Sequence, residues 1–355
     1  MQRVQTAVAT LTPGYFALVM GSGIISVGMR LEGFETISTT LLAICTIAFV
    51  TLCVLTTWRF VAYRSAIVED FVDPRRAFGF FTFVAGANVL GVRLSMDGHH
   101  TTTGILLVVS GAAWLLLGYV IPWTAVLSNA ARPVVVTANG TWFIWVVASE
   151  SVAVAAATLE PVVTTGRQEL AVLAVTSWSV GVFLYGATAV IVSLRLMLYD
   201  FGPEDLTPPY WVAMGALAIT VLAGARIVEM TDAPMVSATR GLIAGLCVMF
   251  WSFATWLIPV LVVAGGWRHL VHRIPLRYEA TWWSIVFPLG MYAVAGIYLG
   301  RAADLPLVEQ VGSTELWLAM AAWILALVGM GAHLIGSVLL DHAPEPAMIP
   351  TTTTP

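Results

Sequence analysis

Residues 13–23 read Pro-Gly-Tyr-Phe-Ala-Leu-Val-Met-Gly-Ser-Gly, and residues 80–88 read Phe-Phe-Thr-Phe-Val-Ala-Gly-Ala-Asn. Each stretch opens on two adjacent aromatic residues and runs on through small and apolar ones. Each then reaches the same kind of ending, Gly28-Met29-Arg30-Leu31 and Gly91-Val92-Arg93-Leu94. The aromatic opening recurs at Trp142-Phe143, Tyr210-Trp211 and Trp282-Trp283. Aligning the second aromatic of each pair brings Gly21, Gly86, Ala148, Ala216 and Pro288 to one level. One position earlier, the fifth copy alone carries a ring, Phe287. Seven positions after the second aromatic stand Gly23, Asn88, Glu150, Ala218 and Gly290.

Between these copies lie smoother apolar runs such as Leu-Leu-Ala-Ile-Cys-Thr-Ile-Ala-Phe-Val at 41–50. An α-helical span takes about 20 apolar residues. Ten spans are predicted, near 12–31, 37–58, 77–96, 103–127, 137–158, 169–197, 209–228, 241–264, 281–300 and 316–340. The 355 residues are 59% apolar and 10% charged, with a mean hydropathy of +0.89, which a water-soluble domain does not have. The expected fold is therefore all-α and integral to the membrane. Ten transmembrane helices form five helical hairpins in a pseudo-fivefold arrangement around a central pore. Odd-numbered spans, rich in small residues, make the inner ring, and even-numbered spans the outer. The competing reading is that the small residues serve close helix packing alone, as in Gly296-x-x-x-Gly300. Residues 1–342 make one transmembrane domain, and the Pro- and Thr-rich 343–355 is expected to be a disordered tail. Nothing after the first span resembles a cleavage site, so that span is expected to be retained.

All 16 basic residues are arginine. With ten spans both termini share a side. If that side is cytoplasmic, the inner segments hold ten arginines (3, 59, 64, 75, 76, 132, 195, 268, 273 and 277). The outer ends then hold six (30, 93, 167, 226, 240 and 301), which favours cytoplasmic termini in a cell-membrane protein. The dispersed charge argues against nucleic-acid partners. Cys45, Cys53 and Cys247 fall within spans, as packing residues do.

Glu150 is the costliest residue to place. A carboxyl group at a helix centre costs about 2.5–3.5 kcal/mol on insertion scales. It follows Phe143 by seven positions, so the two share a helix face. It is read either as a pore-facing proton acceptor or as a glutamate packed between helices. Phe287, just before the helix-breaking Pro288, is a candidate hydrophobic gate, with ordinary core packing as the alternative. Gly21, Gly23, Gly86, Asn88, Ala148, Glu150, Ala216 and Gly290 are the candidate pore lining. Arg30, Arg93, Arg226 and Arg301 fall near the outer ends of odd spans. They are candidates for an anion-attracting mouth, although arginine is also favoured at helix C-termini for its own sake. No metal-ligand set, phosphate-binding loop or nucleophile elbow is found, so neither a metal, a cofactor nor an enzyme activity is expected. The alternative from another class is an intramembrane enzyme or sensor built on Glu150.

The chain resembles the tellurite-resistance/dicarboxylate transporter family, which includes slow-type anion channels, malate permeases and sulfite pumps. The resemblance is carried by four stretches. These are the run from Pro13, Phe-Phe-Thr-Phe-Val-Ala-Gly-Ala-Asn-Val-Leu-Gly from Phe80, Asn-Gly-Thr-Trp-Phe from Asn139, and Trp-Trp-Ser-Ile-Val-Phe-Pro-Leu-Gly-Met-Tyr from Trp282. It covers about 12–340, and order and spacing carry it more than any single motif. It implies five hairpins, a pore of odd helices, a homotrimer with one pore per subunit, and an occluding phenylalanine at the position of Phe287. The substrates it implies are small anions: C4-dicarboxylates such as malate, or inorganic ions such as sulfite, tellurite, chloride and nitrate. Glu150 departs from the neutral residue expected at its position, which leaves proton coupling open.

Overall fold

The five aromatic pairs mark places where the backbone tightens. In the computed structural model, Pro13–Phe16, Ala77–Phe80, Gly140–Trp142, Pro208–Trp211 and Ala280–Trp282 are 3-10 turns. Each passes directly into an α-helix at or next to its aromatic pair. Proline in the first turn favours such starts because its missing N–H is not needed there. Two of the turns are capped from the side chain. The Thr12 Oγ1 accepts from the Gly14 amide at 3.3 Å, and the Asn139 Oδ1 accepts from the Thr141 amide at 2.8 Å.

The structure describes residues 2–128, 132–231 and 233–336, so the tail expected at 343–355 lies outside the described residues. Among the described residues there is no strand, and ten helices are long and apolar enough to cross a membrane. We number them α1 (Pro13–Leu31), α2 (Glu35–Ala62), α3 (Ala77–Ser95), α4 (His100–Leu127) and α5 (Gly140–Val162). The remainder are α6 (Arg167–Leu198), α7 (Pro208–Val228), α8 (Pro234–Val271), α9 (Ala280–Ala302) and α10 (Pro306–Leu334). Two of them start well before the expected boundary, α8 at Pro234 rather than 241 and α10 at Pro306 rather than 316. The polar first turns, with Ser237, Thr239 and Arg240 in one and Glu309, Gln310 and Glu315 in the other, hide these starts from a hydropathy reading. The first-turn prolines were the available signal.

The odd-numbered helices form the inside. Between 78% and 94% of their most apolar windows is buried, against 11–22% for the even-numbered helices. Helices α1, α3, α5, α7 and α9 contact one another in a closed cycle, α9 returning to α1. Each even helix packs on the odd helix before it and also touches the odd helix after it, and α10 closes this outer layer onto α1. Tryptophans make several of these forward contacts. Trp114 of α4 donates to the Ser149 hydroxyl of α5 at 2.9 Å, and Trp178 of α6 to the Thr220 carbonyl of α7 at 3.0 Å. Trp323 of α10 donates to the Ser22 hydroxyl of α1 at 2.9 Å. On α8 the forward contact is made by Trp251 stacked on Tyr292 of α9, beside a 2.7 Å hydrogen bond between Thr255 and the Tyr292 hydroxyl.

Arginines tie down the ends where the odd helices begin. Arg59 pairs with Asp70 of the short helix Arg64–Val72, both side chains being buried, and its Nε donates to the Ala9 carbonyl at 3.0 Å. Arg195 donates to the Val136 and Asp200 carbonyls at 2.8 Å each. Arg268 donates to three carbonyls of the α6–α7 linker.

Candidate functional site

A small cavity lies inside the cycle of odd helices. It leaves about 20 Å³ for the centre of a water molecule, enough for one. Its lining follows the repeat. Ile24, Val89, Ser151, Ile219 and Met291, one from each odd helix, stand eight positions after the second aromatic. Val27, Val92, Val154 and Leu222 stand at eleven, and Thr158, Arg226 and Tyr298 at fifteen. A spacing of three and then four residues keeps one helix face turned to one side. Asn88, at seven, completes the lining.

The candidate lining residues at the fifth and seventh positions, Asn88 apart, point elsewhere. A side-chain carbon on Gly21 would meet Val286 of α9 at 3.1 Å, and one on Gly86 would meet the Phe16 carbonyl and Val19 of α1 at 3.4 Å. Gly23 faces Val89 and Cys45, the latter on the outer helix α2, and Gly290 faces Ile24 and Ile25 of α1. Ala148, Ala216 and Ala218 are buried and do not line the cavity. The small residues thus let neighbouring helices approach, which corrects their expected orientation. The face turned to the cavity is the one carrying the eighth position.

Glu150 is corrected in the same way. It does share a face with Phe143, but that face meets the outer helix α6. Phe143 packs on Tyr185, with ring centroids 5.3 Å apart, and the Glu150 carboxylate abuts Gly181, four residues earlier on α6. Both carboxylate oxygens are buried and neither has a hydrogen-bond partner. The Thr220 hydroxyl comes close but donates to the Ala216 carbonyl at 2.8 Å. Glu150 therefore belongs to a seam of α5, α6 and α7 and does not line the axial cavity.

Asn88 also turns toward its outer partner, yet its side chain is long enough to reach the cavity wall. The Ser110 hydroxyl of α4 donates to Asn88 Oδ1 at 2.6 Å, and Asn88 Nδ2 donates to the Ser151 hydroxyl at 3.0 Å. The Ser151 hydroxyl in turn donates to the Ala148 carbonyl at 2.7 Å. Ser110 therefore holds the amide oxygen away from Ser151, and the NH₂ group faces the cavity-lining serine. The serine and threonine of the lining carried no signal of their own in the sequence, because such residues occur throughout the spans.

Phe287 is 1% exposed and precedes the cavity-lining Met291 by four residues, one turn along the same face of α9. Gly215 of α7 lies against Pro288, so α7 and α9 approach closely at this turn.

The four arginines do not form a ring of free charge. They stand 14, 12, 15 and 18 residues after their second aromatics and so leave their helices in different directions. Arg30 pairs with Glu35. Arg93 is buried, donates from Nε to the Ser26 and Ser38 hydroxyls at 3.0 Å each, and pairs with Asp97 at 2.8 Å. Arg301 pairs with Glu309 at 2.7 Å and Glu32 at 3.0 Å. Arg226 alone of the four lines the cavity, with its guanidinium 5.3 Å from the Tyr298 ring and 3.2 Å from Glu229.

Among the described residues, no cluster of three or more His, Cys, Asp or Glu side chains could hold a metal ion. His100 meets the Ser95 hydroxyl at 2.9 Å, and His269 meets the Ile274 carbonyl at 2.8 Å.

The chain is similar to known membrane proteins and transporters. An uncharacterized membrane protein of Mycobacterium tuberculosis is 60% identical over 156 residues, 44% of this chain and 79% of the relative. Two uncharacterized transporters of Methanocaldococcus jannaschii are each 23% identical, over 328 and 332 residues. The matches cover 90% and 92% of this chain, and 92% and 95% of the relatives. The model of the voltage-dependent anion channel family matches residues 10–331. That span takes in all five aromatic pairs and almost all of α10, so the chain belongs to this family of anion channels and transporters, the group its sequence resembles.

Proposed function

We propose that the protein passes small anions across the cell membrane along the axis of its odd helices, and that Phe287 closes the path. The observation that carries this reading is the cavity lined in one register by all five odd helices. One turn toward the helix starts, the fourth position holds Met20, Ala85, Val147, Gly215 and Phe287, with Gly215 packed against Pro288. Four of these are flexible or modest in size and one is a ring, so Phe287 is the natural plug of a hydrophobic constriction. Candidate cargoes are C4-dicarboxylates such as malate, and inorganic anions such as sulfite, tellurite, chloride or nitrate. A cavity of this size admits a small ion with little movement, whereas malate requires the ring to widen. No step of the proposal needs a cofactor, and the family is one of channels and transporters, which speaks against an enzyme built on Glu150.

The proposed assembly is a homotrimer with one pathway per subunit and both termini in the cytoplasm. Reconstitution into liposomes tests the reading, with flux of malate, sulfite, chloride and nitrate compared at two pH values. Phe287→Ala is expected to raise flux by roughly tenfold, equivalent to about 1.4 kcal/mol off a barrier. Unchanged flux through a correctly folded variant would remove Phe287 from the gating role.

A further inference from the structure

A second cavity, of about 290 Å³, opens where α7 and α9 begin and α8 ends. Its walls are of two kinds. On one side are Leu261 and Val262 of the outward-facing α8, and Val262 is 56% exposed on the surface that meets lipid. On the other are Arg268, His269 and Arg277, with Trp211 and Trp282 alongside, the residues that favour the level of lipid headgroups.

The cationic side is not satisfied by the protein. Arg268 spends Nη1 on the Pro203, Glu204 and Leu206 carbonyls at 3.2, 3.2 and 2.7 Å, which fixes its guanidinium in place. Its Nε is buried and has no acceptor. A buried N–H left without a partner costs about 1–3 kcal/mol. The Arg277 side chain makes no hydrogen bond or ion pair among the described residues. The one carboxylate in the lining, Glu279, accepts from the Thr281 hydroxyl at 3.2 Å and leaves the cavity with a net positive charge.

We propose that this cavity binds the phosphate group of an anionic phospholipid between Arg268 and Arg277, with an acyl chain laid along the lipid-facing side of α8. The group must be an acceptor and carry negative charge, which phosphate satisfies. It must also bring an apolar part that can stay in the bilayer, because the neighbouring wall is continuous with the lipid-exposed surface. Basic pockets between transmembrane helices suit such headgroups. The proposal does not depend on anion passage, since binding is read without flux.

The test is native mass spectrometry of the full-length protein in detergent, titrated with phosphatidylglycerol or phosphatidylcholine. Phosphatidylglycerol should be retained in preference. Arg277→Gln, an unpaired side chain whose loss leaves the fold intact, should weaken its binding by about fivefold, the effect of one basic residue near an anionic headgroup. Arg277→Lys should restore most of it. Equal retention of the two lipids, or phosphatidylglycerol binding unchanged in Arg277→Gln, overturns the proposal. Displacement of the lipid by equimolar soluble glycerol phosphate overturns it too, because the site would then belong to a free phosphate compound.

Discussion

At Glu150 the chain accepts a local cost. A carboxyl group with both oxygens buried and unpartnered contributes about 1–3 kcal/mol of destabilisation. The seam makes room for it with Gly181, where any side-chain carbon would stand 2.2 Å from the carboxylate. Two measurements separate packing from function. Glu150→Met fills the same space without a polar atom and is expected to raise the thermal midpoint in detergent. Glu150→Gln keeps the shape but cannot change its protonation. If the acid couples anion flux to protons, liposome flux varies with pH in the parent protein and loses that dependence in Glu150→Gln. A parent flux that is flat with pH rules coupling out, while the stability gain of Glu150→Met should appear in either case.

At the scale of helices, a close-packed seam joins α9 to α10. Gly296 and Gly312 meet almost backbone to backbone, and a side-chain carbon on Gly312 would fall 2.5 Å from the Ala293 carbonyl oxygen and 2.7 Å from the Ile297 nitrogen. Neither is the movable end of a flexible side chain. Gly312→Val is therefore expected to lower the thermal midpoint strongly or to abolish folded protein, whereas Gly331→Val, at a glycine open to space, should leave it nearly unchanged. Elements of this kind also show what can be read without coordinates. The aromatic pairs marked every odd helix start, because a 3-10 turn passing into a helix is a local event. Their shared register was legible for the same reason. The direction in which a register points was not, since it depends on which neighbour each face meets. Gly23, Asn88 and Glu150 stand at one level and all turn toward an outer helix, at Cys45, Ser110 and Gly181. The sequence reading placed that level on the axis, one residue away from the level that lines it.

Across the whole molecule, the four arginines near the far end of the ring are matched by acids, so that end carries little free charge from them. In the proposed path Arg226, which lines the cavity, is the member that would meet a passing ion, and Glu229 holds it at 3.2 Å. Glu229→Gln should expose that charge. The expected result is about two- to fivefold faster anion entry at low ionic strength, fading near 0.15 M salt, where the Debye length is about 8 Å. A gain that persists at high salt would mean that the substitution altered the path itself and not its field.

The hydrogen bond from Trp323 to Ser22 joins the tenth helix to the first. These two partners lie 301 residues apart along the chain. Until the tenth helix is inserted, the flank of the first helix that ends up against it has only lipid or a helper protein to lie against. The inner ring itself closes when the ninth helix meets the first, and the tenth then covers that junction from outside.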